Sequence, residues 1–211
     1  MKDEDLIIIE KHTLWTRWFH WINFPLLFLM IWSGILIYWA DQAYIKIPVS
    51  VANQFSLHHR LAEGMGWHFF LMWLYALNGI AYVCYQIFSG QWRHLIPTGS
   101  TFKDSFKVIA HDLHLRKNPP PQVGKYNAAQ KLAYCGAIFM GAGTLVTGLA
   151  IYKPVQLGWL VSLLGGYSTA RLEHFVLMIG FILFLIIHVL QVLKAGWNNF
   201  RSMLAGYELG K

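Results

Sequence analysis

Charge is what this chain has least of. Only 13% of its 211 residues are Asp, Glu, Lys or Arg, about half the share of an ordinary soluble domain, which is roughly 25%. Hydrophobic residues make up 56% and the mean hydropathy is +0.41, which excludes a water-soluble globule. Acidic residues are especially few, ten against 17 basic ones, and none lies well inside a long apolar run. With no H-E-x-x-H and no buried carboxylate, an intramembrane zinc hydrolase lacks its general base, and a proton or ion transporter lacks buried acids. There are two cysteines, Cys84 and Cys135, each within an apolar stretch. Neither belongs to a C-x-x-C-H or zinc-type spacing, so both read as packing residues and a covalently attached c-type haem is excluded. The opening "MKDEDLIIIEKH" has neither a basic n-region nor a cleavage site, so no signal peptide is read. The protein is expected to enter the membrane through its own first helix. No repeat of fixed period stands out.

What is present is hydrophobic length. Four segments, about 17–39, 66–88, 129–151 and 172–194, reach the roughly 20 residues that a helix needs to cross a hydrocarbon core. The expected fold is an all-α integral membrane four-helix bundle, one domain over 1–211, with ten Trp and ten Tyr available for aromatic belts. A polar loop at about 89–128 separates the second and third spans. It ends in "RKNPPPQVGKY", whose triple proline forbids helix and favours an extended connector.

A net charge of +7 invites a nucleic-acid reading, but its distribution argues against one. Thirteen of the 17 Lys and Arg lie in the N-terminal segment, in 88–131 or in the C-terminal tail. Only Lys46, Arg60, Lys153 and Arg171 lie at the other two connections. That asymmetry follows the positive-inside rule with both termini cytoplasmic. The charge orients the protein, and attraction to anionic lipid headgroups is secondary.

Histidine carries the chemistry. "ARLEHFVLMIGFILFLIIHVLQ", residues 170–191, places His174 and His188 in a span with almost nothing polar between them. Ionisable groups inside a bilayer are expensive and mark function. Fourteen residues make about 1,400° of turn and roughly 21 Å of rise, so the two project from nearly one face, one near each membrane surface. Such a pair suits two stacked sites, because one metal cannot span the gap. His20 in the first span matches the depth of His188, and His68 in the second matches that of His174. Four histidines thus make two bis-imidazole sites, the arrangement that holds b-type haem without a covalent link.

Glycine placement agrees with this. Gly34 lies 14 residues after His20, at the depth of the outer site, and Gly79 lies 11 after His68, at the depth of the inner one. Each would leave the macrocycle unobstructed where its helix gives no ligand. The third span has no histidine but carries Gly136, Gly141, Gly143 and Gly148, which suits close helix packing. His58 and His59, in "FSLHHRLAEG", compete with His68 for the outer site. His111 and His114 share the basic loop, too little for a metal site, and His12 and His94 read as interfacial polar residues. A haem-free membrane anchor or a small-solute or ion transporter remains the rival reading, and it would not need matched histidines.

The pieces "WTRWFHW", "WHFFLMWLYALNGIAY", "GKYNAAQKLAY", "VTGLAIY" and "GGYSTARLEHF", followed by "HVLQVLKAGWNNFRSMLAGYE", together cover roughly residues 11 to 207. Through them the chain resembles the membrane cytochrome b subunits of bacterial molybdopterin oxidoreductases, of the thiosulfate reductase cytochrome b type. More distantly it is similar to the gamma subunit of formate dehydrogenase and to hydrogenase cytochrome b. The resemblance implies two b haems, electron exchange with menaquinone or ubiquinone in the inner membrane, and a periplasmic molybdopterin partner. His20, His68, His174 and His188 fall where that family has its ligands, with His59 kept alive by the formate dehydrogenase relatives. By analogy the quinone pocket lies beside the inner haem, with Asn23, Gln191 and Trp197 as its walls. Arg17 and Arg201 inside, and Arg60 and Arg171 outside, are placed to meet haem propionates, although snorkelling explains them equally well.

Overall fold

The computed structural model describes residues 7–39, 44–46, 48–57, 60–118, 120 and 124–210. His58, His59, Pro119 and Pro121 lie outside the described residues. Within them the chain is helical, apart from a short terminal ribbon. Four helices are long and apolar enough to cross a membrane: α1 (Leu14–Tyr38), α3 (Leu61–Phe88), α5 (Ala128–Tyr152) and α7 (Tyr167–Ala205). Between them lie the six-residue α2 (Val49–Gln54), α4 (Thr101–Asp112) and the six-residue α6 (Gly158–Leu163). The exposed surface is rich in large apolar side chains, among them Phe70, Leu77, Phe139, Ile187 and Leu193, as expected where the surrounding solvent is lipid.

Local chemistry sets the helix ends. The Thr13 side chain accepts from Thr16 N at α1, and Asn127 and Gln130 form a reciprocal capping box at α5, which satisfies backbone donors that a helix start leaves open. The loop read as polar contains a helix instead. Along α4 the apolar positions Phe102, Phe106 and Ile109 recur at helical spacing and are exposed, while Thr101, Ser105 and Val108 are buried.

The chain divides into two compact units. One comprises residues 1–83 with 195–211, and the other residues 84–194. In the first, β1 (Ile7–Glu10) pairs antiparallel with β2 (Tyr207–Gly210), Ile7 opposite Gly210. Lys11 ties this ribbon through Glu208 at 2.6 Å and Asn199 at 2.9 Å. Trp21 Nε1 donates to the Met203 carbonyl at 3.0 Å, and Arg17 donates to that of Leu204. The C-terminal part of α7 reaches this unit through a break at Gly196 (φ 81, ψ 178), a backbone conformation essentially reserved for glycine.

The two units repeat one plan. Each has a 25-residue helix, α1 or α5, then a six-residue helix, α2 or α6, then a longer one, α3 or α7. Aligned on their first residues, α1 ends in Ser33-Gly34-Ile35-Leu36-Ile37-Tyr38 where α5 ends in Thr147-Gly148-Leu149-Ala150-Ile151-Tyr152. Aligned in the same way, α3 carries His68-Phe69-Phe70-Leu71-Met72 where α7 carries His174-Phe175-Val176-Leu177-Met178. Packing follows the same correspondence. Gly64 lies against Leu36, so closely that an added Cβ would stand 2.7 Å from Leu36 Cβ. At the equivalent positions Ala170 and Ala150, both 0% exposed, share one apolar cluster with Leu160. The offset is 114 residues from Ser33 to Thr147 but 106 from His68 to His174, so no single period describes the repeat.

Candidate functional site

Each unit positions one histidine in the second turn of a long helix and meets it with a hydroxyl from the preceding long helix. In the first unit Ser33 Oγ lies 2.9 Å from His68 Nδ1. In the second Thr147 Oγ1 lies 2.9 Å from His174 Nδ1. Ser33 and Thr147 are 0% and 3% exposed, so both contacts sit inside the protein. The next residue in each case is a glycine against the same ring. An added Cβ at Gly34 would stand 3.5 Å from His68 Cε1, and one at Gly148 would stand 3.2 Å from His174 Cε1.

At Gly34, read as clearing the face of a cofactor, an added Cβ would be in ordinary contact with the His68 ring. At Gly79 nothing lies within 4 Å of an added Cβ. The glycines of α5 divide: Gly143 meets Leu177 of α7 at 2.9 Å from its added Cβ, while Gly136 meets nothing within 4 Å. From α7, an added Cβ at Gly180 would stand 2.8 Å from Met140 Sδ. Close packing by small residues therefore holds between α5 and α7.

His20 and His188 have other surroundings. His20 packs edge-on against Trp21, with ring centroids 5.1 Å apart. The preceding residue, Phe19, meets Tyr82 at 5.8 Å. His188 stacks on Phe184 one helical turn earlier, centroids 5.7 Å apart and planes 12° from parallel. All four histidines are half-buried. In the repeat, His68 and His174 are equivalent, whereas His20 corresponds to Tyr134 and His188 to Tyr82.

The residues read as quinone walls have protein neighbours of their own. Asn23 Oδ1 is approached by Asn78 Nδ2 at 3.5 Å, and the same amide donates to the Phe19 carbonyl at 3.4 Å. Gln191 Nε2 donates to Asp112 Oδ2 at 3.1 Å, and Lys194 Nζ to Asp112 Oδ1 at 2.8 Å, so α4 is clamped to α7. Trp197 packs on Phe200 at 5.5 Å. Of the arginines read as propionate partners, Arg17 donates to Leu204, Arg201 to Asn198 at 2.8 Å, and Arg60 to Glu63 while lying 5.2 Å over the Trp32 ring. That bond to Glu63 raises the Arg60 guanidinium above its ordinary range. On α4 the hydrogen bond from Lys107 holds the Asp104 carboxyl below its own. An apolar groove of about 490 Å³ runs beside Thr147 between α5 and α7, with Val146, Leu172 and Val176 in its wall and Glu173 as its carboxylate.

The donor set suits a metal that arrives with its equatorial ligands already in place. Among the described residues no three His, Cys, Asp or Glu converge to hold a bare ion, yet imidazoles stand singly in the long helices. A porphyrin iron asks the protein for one or two axial nitrogens only. An imidazole can present one ring nitrogen to a metal while the other is hydrogen-bonded.

Sequence reasoning missed Ser33, Thr147, Asn78 and Asp112. A repeated Ser/Thr-Gly step ahead of His68 and of His174 was the available signal for the first two.

Comparison with known proteins extends over nearly the whole chain. The sequence profile described as prokaryotic cytochrome b561 matches residues 11–206. A protein of Azospira oryzae, named as the protein-methionine-sulfoxide reductase subunit YedZ1, is 34% identical over 189 residues. The match covers 88% of this chain and 91% of that protein.

Proposed function

Because the chain belongs to the prokaryotic cytochrome b561 family, membrane electron-transfer subunits with b-type haem, we propose that it is a di-haem carrier between the quinone pool and a periplasmic redox subunit. The observation that carries this reading is the repeated half-site: His68 and His174, each Nδ1-bonded to a buried hydroxyl at 2.9 Å. His68 and His174 are the axial ligands of an outer site, and His20 and His188 those of an inner one. When bound, haem b supplies a one-electron carrier.

The chain's own residues do the rest. Ser33 and Thr147 hold the outer imidazoles, and the apolar helices keep bulk water away from both sites. Menaquinone or ubiquinone exchanges electrons near His188, with Asn23, Gln191 and Trp197 as the walls of its pocket. Both termini are cytoplasmic, in keeping with the basic 88–131 region and tail. The redox partner is a periplasmic molybdopterin subunit. The name of the Azospira oryzae relative makes protein methionine sulfoxide the substrate class to try first.

A pyridine haemochrome assay on the detergent-purified chain tests the reading, with two b haems per chain expected. His174→Ala should remove the outer haem, and His188→Ala the inner one together with quinone turnover. Full haem content in both variants would refute the ligand assignment. No haem at all, from a folded protein expressed with haem in excess, would leave an anchor or transporter.

A further inference from the structure

The same hydroxyl–glycine step holds a histidine in each unit, and each hydroxyl also bonds the backbone of its own helix. Ser33 Oγ donates to the Met30 carbonyl at 3.1 Å. Thr147 Oγ1 donates to the Gly143 carbonyl at 2.7 Å. A hydroxyl has one proton and two lone pairs. With the proton committed to its own helix, each oxygen faces its imidazole as an acceptor. The proton between oxygen and ring therefore belongs to the ring, on Nδ1. Both rings are thereby set as the Nδ1–H tautomer, in which Nε2 carries the lone pair.

Coincidence is a poor account of this. Ser33 lies 19 residues after Leu14 and Thr147 lies 19 after Ala128. His68 lies seven after Leu61 and His174 seven after Tyr167. Two helix pairs with different connecting lengths thus bring the same atoms to the same 2.9 Å separation.

We propose that Ser33 and Thr147 are a matched pair of positioning residues for the outer haem, fixing the tautomer of His68 and His174 and holding its reduction potential down. The inference rests on the reading above, in which those two histidines are the outer ligands. An imidazole whose Nδ1–H is accepted by an oxygen is a more basic ligand. A more electron-rich ligand favours ferric over ferrous iron, so removing the acceptor must raise the potential.

The test is redox titration and low-temperature EPR of the full chain with its haem. Ser33→Ala, Thr147→Val and their double variant remove the oxygens, while Ser33→Thr and Thr147→Ser keep them. In each hydroxyl-less variant one of the two haem transitions should move to higher potential, further in the double variant, with altered g values for that haem. The hydroxyl-keeping variants should titrate like the wild type. Loss of the outer haem from the hydroxyl-less variants alone supports the same assignment, since Thr147→Val preserves side-chain volume. An unmoved potential with haem retained overturns the proposal, as do equal shifts in the hydroxyl-keeping variants. Haem content in His68→Ala and His174→Ala separates the two levels. If those variants keep both haems, the ligand reading falls and takes the proposal with it. If they lose the outer haem while the potentials above stay fixed, only the proposal falls.

Discussion

A methyl group at Gly148 would stand 3.2 Å from His174 Cε1, while one at Gly34 would stand 3.5 Å from His68 Cε1. The first separation is tighter than carbon atoms ordinarily tolerate and the second is normal contact. Gly148→Ala should therefore tilt the His174 ring and lower haem content, whereas Gly34→Ala should keep wild-type content, both read as haem per chain. At this scale the histidines were legible and their supports were not. An imidazole in an apolar span announces itself through the cost of putting it there. A serine or threonine does not, because in membrane helices its hydroxyl commonly bonds its own backbone. Ser33 and Thr147 do that too, and only the distance to a neighbouring helix shows the second bond. Asn23 and Gln191 illustrate the opposite case. Their polarity was visible in the sequence, but the partners that engage them, Asn78 and Asp112, lie far away in it.

Among the elements, the crossings of α1 with α3 and of α5 with α7 solve one packing problem in two ways. Leu36 with Gly64 fills the first, and Ala150 with Ala170 the second. Gly64→Ala places a methyl 2.7 Å from Leu36 Cβ, an overpacking that costs about 1–3 kcal/mol. Adding Leu36→Gly, which removes the atom the new methyl meets, should recover part of that loss. Thermal unfolding in detergent measures both, and a double variant no better than the single one would count against Leu36 Cβ as the obstacle. The spans themselves were legible to within a few residues at most ends, since hydropathy over about 20 residues leaves little choice. The repeat was hidden because the connections change length, giving offsets of 114 and 106 where a search for one period finds neither. The helix in the 89–128 loop escaped notice because its charges, Lys103, Asp104 and Lys107, mask the spacing of Phe102, Phe106 and Ile109.

For the molecule as a whole, the antiparallel ribbon fixes a fact that hydropathy leaves open. Ile7 faces Gly210, which brings the two ribbon strands together and is expected to put both on one side of the membrane. With the basic loops as guide, the expected side is the cytoplasm. Green fluorescent protein at either end should fluoresce and alkaline phosphatase at either end should stay inactive. The reverse pattern is expected for fusions at Val155, between α5 and α6. Opposite sides for the two termini would contradict the ribbon. This feature was not legible in the sequence, because four-residue strands such as "IIIE" and "YELG" are too short for a periodic signal.

The ribbon also makes the order of the two units negotiable. Proteins whose ends meet tolerate circular permutation. A short linker from Gly210 to Ile7 would turn residues 195–211 and 1–83 into one uninterrupted stretch. New ends could be opened between Asn118 and Gly124, in the proline-bearing connector. The rearranged chain would still cross the membrane four times from the same side. Which histidine-bearing hairpin the ribosome delivers first would then be for the experimenter to choose.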